Sequence, residues 1–220
     1  MKKIGILWDL DGTLLDTLED LADGTNAAMD HFGFPRRTLE EVRRFVGNGA
    51  RRLLVQAVPG ETQEDKVEEV LAWFQRYYAA HCRIKTKPYD GVLEALERLK
   101  TLGYPMAVVS NKPDSAVKTL CDQYFPGLYA RGESVDCPRK PAPDMVFKAM
   151  ADIGVDRCVY VGDSEVDVLT ARNAGVPCLS VLWGFRDREE IEKAGGTRFC
   201  GDPEKLPEVL EEMIRELTVK

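Results

Sequence analysis

Histidine is nearly absent: the 220 residues hold two, His31 and His81. Neither lies beside a candidate nucleophile, so a hydrolytic triad built on a histidine base is disfavoured. Paired cysteines are missing too. Cys82, Cys121, Cys137, Cys158, Cys178 and Cys200 include no Cys-x-x-Cys spacing, which argues against a zinc ribbon or a disulfide framework and for free thiols in a reducing compartment. There is no basic excess, because 30 Lys and Arg face 37 Asp and Glu for a net charge of -7. General nucleic-acid binding, which needs a basic surface, is thereby disfavoured. No apolar run reaches the length of a membrane span. The first, after Met1-Lys2-Lys3, is cut short by Asp9 and Asp11, so a secretory or spanning segment is not expected. The expectation is a cytoplasmic chain with no membrane and no nucleic-acid partner, free of low-complexity stretches and internal repeats.

What is present begins with Ile4-Gly5-Ile6-Leu7-Trp8-Asp9-Leu10-Asp11-Gly12-Thr13. A continuous apolar run of this kind reads as a central parallel strand covered on both faces, and ligands of open α/β sheets sit at the carboxyl ends of such strands. Asp9 and Asp11, two apart, would share one side of an ideal strand, with Gly12 allowing a sharp turn. Two carboxylates so close call for a positive partner, and a hard divalent cation suits them.

From about Asp16 to Lys85 only helical periodicity appears, which suggests an inserted helical unit. After Pro88-Tyr89-Asp90-Gly91, strands and helices alternate: strands at 105–110, near 128–131, 158–163, 178–182 and near Phe199, with helices between them and a last one over about 204–217. The pattern predicts an α/β fold, a doubly wound and mainly parallel sheet. Its core would comprise residues 1–15 and 86–220, and the helical cap residues 16–85.

Chemistry-bearing residues recur at the strand ends. Ser110-Asn111-Lys112 closes the second strand, where the plain alternative is an N-cap ahead of Pro113. Lys140, stiffened by Pro141 and Pro143, can offer a fixed positive charge. Asp163 and Asp167 stand at i and i+4 where a strand gives way to a helix, a place where acidic residues also suit the helix dipole.

Asp9-Leu10-Asp11-Gly12-Thr13-Leu14, Ser110-Asn111-Lys112, Lys140-Pro141-Ala142-Pro143 and Gly162-Asp163-Ser164-Glu165-Val166-Asp167 resemble, in order, the four motifs of the haloacid dehalogenase superfamily. Phe45-Val46-Gly47-Asn48-Gly49 onward, with Val181-Leu182-Trp183-Gly184-Phe185, looks like the bacterial phosphoglycolate phosphatases of that superfamily. The resemblance implies a Mg²⁺-dependent phosphate monoester hydrolase. Asp9 would be the nucleophile and Asp11 the acid and base. Ser110, Asn111, Lys140 and Thr13 would hold the phosphoryl group. Mg²⁺ would sit among Asp9, Asp11 through its carbonyl, and Asp163, with Asp167 as an outer partner.

Arg36, Arg37, Arg43, Arg44, Arg51 and Arg52 face only Glu40 and Glu41 in their stretch, giving the cap a local positive field suited to a small dianion. Asn48 and Arg51 are therefore expected to read a substrate carboxylate, the alternative being a solvated face of paired charges. The implied substrate is a small phosphate ester such as 2-phosphoglycolate. A pyrophosphatase, a sugar-phosphate phosphatase or phosphomutase, and a non-enzymatic receiver-like phospho-acceptor remain alternatives; Asp11 argues against a dehalogenase. A monomer or a homodimer is expected.

Overall fold

A computed structural model of the chain describes residues 3–135 and 137–218. The chain opens with strand β1 (Ile4–Trp8), turns into the short β2 (Leu15–Asp16), and passes through helices α1 (Leu18–Phe32), α2 (Leu39–Phe45), α3 (Gly49–Ala57) and α4 (Glu64–His81) before returning along β3 (Lys87–Pro88). Then follow α5 (Val92–Thr101), β4 (Met106–Pro113), α6 (Asp114–Tyr124), β5 (Tyr129–Glu133), α7 (Asp144–Asp152), β6 (Arg157–Gly162), α8 (Glu165–Ala174), β7 (Cys178–Val181), α9 (Arg188–Lys193), β8 (Phe199–Cys200) and α10 (Leu206–Thr218).

The large sheet runs in the order β5-β4-β1-β6-β7-β8, every pairing parallel. β1 lies in its middle because its residues are apolar on both sides, and the period of a strand sends them to two different cores. Ile6 and Trp8 join Val159, Val161, Leu179 and the buried faces of α5 and α10. Leu7 joins Ala107, Val109, Tyr160 and the inner faces of α7 and α8. The strand order reverses at β1, and that is where the carboxyl-end loops converge.

The insert is a helical bundle. Leu21, Ala28 and Met29 of α1 and Val67, Val70, Phe74 and Tyr78 of α4 are buried in it, and Gly24 lets the rings of Phe74 and Tyr78 close onto α1. The chain crosses to and from this bundle along an antiparallel ribbon, Leu15 against Pro88 and Asp16 against Lys87. Asp20 ties that ribbon down by accepting from the backbone N–H groups of Ile84, Lys85 and Thr86 at 2.9–3.1 Å. The sequence pattern showed neither the ribbon nor α9, because two-residue strands and a six-residue helix are too short to carry a readable period. β5 sits at Tyr129–Glu133, slightly later than the expected 128–131. β4 runs on to Pro113 with a shift in its register against β5 after Val109, so Ser110 and Asn111 belong to an irregular strand end and not to a helix N-cap. His31 and His81 serve packing, stacked on Trp73 and Tyr77 at 4.7 and 3.9 Å between ring centroids.

Candidate active site

β1 ends at Trp8, and the backbone then curls: the carbonyl of Leu10 accepts from the N–H groups of Thr13, Leu14 and Leu15. Gly12 makes the turn possible. Its φ is +85°, and a Cβ there would fall on the carboxylate of Asp163. This curl parts the two aspartates that an ideal strand would keep together. The Asp9 carboxylate meets Lys140 Nζ at 2.8 Å, whereas that of Asp11 accepts from Thr17 Oγ1 at 2.7 Å and Lys112 Nζ at 2.8 Å.

Asp9, Asp163 and Asp167, all buried, bring carboxylate oxygens within 4.8 Å of one another. Lys140 Nζ bridges Asp9 and Asp167, each at 2.8 Å, and reaches the Tyr160 hydroxyl at 3.1 Å. The remaining oxygen of Asp167 accepts from the backbone N–H and hydroxyl of Ser164. Asp163 accepts from Thr13 Oγ1 and from the N–H of Phe185, both at 2.8 Å. The turn after β7 thus has a visible purpose. Phe185 N–H fixes Asp163, Trp183 Nε1 donates to the Thr13 carbonyl at 3.0 Å, and Gly184 leaves room where a Cβ would strike Asp163.

Burial pushes the Asp9 carboxyl well above the usual carboxylate range, opposed by Lys140 and reinforced by Asp167 and Asp163. Burial and Asp167 push Asp163 up to about 7, against the hydrogen bonds from Phe185 and Thr13 and the charge of Lys140. Burial works against the charge of Lys140, but Asp167 and Asp9 outweigh it and hold the ammonium protonated. Ionised together, the three carboxylates exceed the one ammonium, and the raised pKa values of Asp9 and Asp163 register that uncompensated charge. An all-oxygen donor set with that excess fits a hard divalent cation.

A cavity of about 240 Å³ opens beside this centre, lined by Asp9, Asp11, Ser110, Asn111 and Lys140 from the sheet side and by Val46, Leu53, Phe74 and Tyr78 among others from the insert. Asn111 is a clamp for the lysine loop. Its Oδ1 accepts from Lys140 N–H at 2.7 Å, and its Nδ2 donates to the carbonyls of Lys140 and Gly47 at 3.0 and 3.1 Å.

Three of the expected binding residues stand elsewhere. Thr13 is absent from the cavity lining, since its hydroxyl is spent on Asp163. Arg51 is drawn outward to Glu64 and to Glu68, the latter at 2.7 Å, and does not line the cavity. Asn48 stands at the N-terminus of α3 with no side-chain capping bond, and the flanking Gly47 and Gly49 line the cavity in its place. Other arginines of the insert are also paired on its surface, Arg36 with Asp30, Arg37 with Glu41 and Arg44 with Glu40. None of these arginines lines the cavity; Arg43 instead reaches across to the turn after β7, donating to the Gly184 carbonyl at 3.4 Å.

Two functional side chains escaped the sequence reading. Lys112 ends the Ser110-Asn111-Lys112 stretch with nothing in the local sequence to mark its task, yet it is buried against Asp11 at 2.8 Å. Arg186 lies in the turn after β7 and donates to the carbonyls of Arg43, Arg44 and Val46 at 2.7–3.2 Å, while pairing with Glu165 at 3.1 Å. It caps the C-terminal end of α2. An arginine between a phenylalanine and an aspartate carries no local signal of that task.

The family model described as "Haloacid dehalogenase-like hydrolase" matches residues 6–181. The chain belongs to that family. The chain is 35% identical over 202 residues to phosphoglycolate phosphatase 1 of Pseudomonas aeruginosa, covering 87% of this chain and 74% of that protein. It is 36% identical over 188 residues to the phosphoglycolate phosphatase of Xanthomonas campestris pv. campestris, covering 82% and 84%. Among solved structures, a candidate phosphoglycolate phosphatase from Lactobacillus delbrueckii subsp. bulgaricus superposes with a TM-score of 0.88 at 38% identity, over 96% of this chain and 99% of that one. As a haloacid dehalogenase-like hydrolase with phosphatases for relatives, the chain is an enzyme. Its parallel sheet with helices on both faces is the fold of that family. Among the described residues no helix is long and apolar enough to cross a membrane.

Proposed function

We propose that the chain hydrolyses phosphate monoesters through an aspartyl-phosphate on Asp9, with 2-phosphoglycolate or a close analogue as substrate. The observation that carries this reading is the buried trio Asp9, Asp163 and Asp167, with Lys140 bridging Asp9 and Asp167, beside a cavity that Asp9 and Lys140 line. Asp9 attacks phosphorus in line, its oxygen bonding as the ester oxygen leaves. Asp11 delivers a proton to that leaving oxygen and later removes one from the water that hydrolyses the acyl phosphate. Lys140 offsets charge on the phosphoryl oxygens, and Ser110 with the amide of Asn111 receives them. Asp167 keeps the Lys140 ammonium on station. Asp9, Asp163 and the Asp11 carbonyl, with Asp167 as an outer partner, would hold Mg²⁺, which would supply the charge neutralisation an anionic nucleophile needs to approach a phosphate.

Residues 16–85 act as the lid over a core of residues 1–15 and 86–220, and their apolar lining keeps bulk water out while the acyl phosphate stands. The crossing ribbon at Leu15–Asp16 and Lys87–Pro88 supports that division. The cysteines that the structure describes are free thiols, which supports a cytoplasmic setting.

The test is phosphate release from 2-phosphoglycolate, pyrophosphate and a set of sugar phosphates, with Mg²⁺ and after chelation. Metal-dependent release with 2-phosphoglycolate preferred is expected. Release indifferent to chelation overturns the mechanism, and a preference for pyrophosphate overturns the substrate.

A further inference from the structure

Lys112 and Lys140 are the only cationic side chains among the described residues that line the cavity. Lys140 is committed to Asp9 and Asp167. Lys112 is almost fully buried, its ammonium 2.8 Å from Asp11 and 4.8 Å from the centroid of the Tyr78 ring. A lysine with so little solvent needs a lasting negative partner, and a single carboxylate is a minimal one.

Tyr78 adds an independent observation. The side chain lines the same cavity, and its buried hydroxyl lies beside the Lys112 ammonium with no acceptor for its own proton. An orphaned donor in an otherwise packed helix face is costly unless a ligand satisfies it. It projects from α4 of the insert, and Lys112 projects from β4 of the sheet. A ligand that engaged both would bridge the two parts of the protein.

We propose that Lys112 and Tyr78 form a subsite for a second anionic group on the substrate, a carboxylate within a few bonds of the phosphoryl group. This deepens the phosphatase reading and rests on it. With the phosphoryl group at Asp9, the other end of a small ester lies among Asp11, Lys112 and Tyr78, since all three line one cavity of about 240 Å³. The cost of placing a carboxylate in this largely apolar enclosure is offset by the ammonium already there. As Lys112 donates to the substrate carboxylate, its hold on Asp11 is shared, leaving that carboxyl free to serve the leaving oxygen. A monoester with no second anion leaves Lys112 on Asp11. Lys112 is thus a specificity-determining residue that also acts as a positioning residue through Asp11.

The experiment compares 2-phosphoglycolate with ethyl phosphate, which matches it but for the carboxylate, by kcat/KM and by calorimetric affinity. The proteins are the wild type, Lys112→Gln, Lys112→Arg and Tyr78→Phe. Loss of a charged hydrogen bond predicts that Lys112→Gln lowers the ratio of the two kcat/KM values roughly ten- to a hundredfold, chiefly through KM for 2-phosphoglycolate. Lys112→Arg restores most of the ratio. Tyr78→Phe, which removes one oxygen from a buried ring and keeps the fold, lowers the ratio by roughly three- to tenfold. Equal losses on both esters for Lys112→Gln and Tyr78→Phe overturn the subsite and leave Lys112 a support for Asp11 alone. A wild type that binds the two esters equally overturns it as well. A wild type that hydrolyses neither ester overturns the phosphatase reading; the affinity ratios then decide the subsite by the same criteria.

Discussion

Lysines of the sheet and arginines of the helical insert carry the same charge, and the fold treats them in opposite ways. Lys140 and Lys112 are almost fully buried, each placed against carboxylates at 2.8 Å and fixed by the strand ends around them. Arg51 lies on the outside of the insert between Glu64 and Glu68, and Arg44 pairs with Glu40 one helical turn away. In the sequence the arginines look the more purposeful group because they are clustered. The structure teaches that a cluster spread over two short helices and the loop before them distributes its charge around the surface, whereas lone lysines beside the strand ends are aimed at the site. Buried charge is costly to unpair, and exposed charge is worth little either way.

That contrast can be broken most sharply at its centre. Asp9→Asn should reduce turnover on 2-phosphoglycolate to background while the protein stays folded, because an amide of nearly the same shape cannot attack phosphorus. A phospho-enzyme trapped on that variant would sink the assignment of Asp9. Asp11→Asn should be milder, slowing both chemical steps by about 10² to 10⁴-fold with substrate still bound. A variant with the wild-type rate would remove Asp11 from the mechanism.

Lys140→Met should lose activity and also cost about 3–5 kcal/mol of stability, since it leaves Asp9 and Asp167 buried without their shared partner. Denaturant titration at pH 8 reads this, and a loss no larger than that of a surface variant would mean water takes the place of the ammonium. A pH series sharpens the same point. Asp163 in the metal-free fold holds its proton up to about 7, while the unfolded chain releases it near about 4. Its folded pKa is therefore raised, so its contribution to stability is fully present below about pH 4 and is lost as pH rises through about 7. Chelated protein should accordingly melt lower at pH 8 than at pH 5. Asp163→Asn should flatten the slope, and Mg²⁺ should restore the wild type at pH 8. Identical slopes for the chelated wild type and Asp163→Asn would show that this carboxyl is not the one titrating.

At the small end, Arg51→Met should leave kcat/KM on 2-phosphoglycolate unchanged. A selective rise in KM would mean that the arginine leaves Glu64 and Glu68 to meet substrate, and the contrast between the two regions would fail.

β1, β4, β6 and β7 could be read because each is a short apolar run with polar punctuation, a property of neighbouring residues alone, whereas β5 and the two-residue β8 were placed only approximately. Asp9, Lys140, Asp163 and Asp167 were legible as a set through the resemblance of their stretches, in order, to the motifs of the haloacid dehalogenase superfamily; the convergence of strand ends where the strand order reverses then brings them together. What stayed hidden depends on partners far along the chain. Nothing near Thr13 announces that its hydroxyl belongs to Asp163, 150 residues on, and nothing near Arg186 announces the carbonyls of α2. The separation of Asp9 from Asp11 was missed for a local reason. Two residues apart means one side only while the chain remains a strand, and here it ends at Trp8.

The ribbon that joins the insert to the sheet also bears on how the chain reaches this structure. Trp8 must find Val108 as its parallel neighbour, about a hundred residues downstream, and closing so long a loop in an unfolded chain is entropically slow. Leu15 and Pro88 are direct neighbours in the ribbon, so an insert that has already collapsed presents its two ends side by side. The search then involves only the short arms on either side of the ribbon. The helices between Asp16 and Lys87 act in this sense as an internal chaperone for the central strand, shortening the path between the two halves of the sheet before any chemistry is assembled.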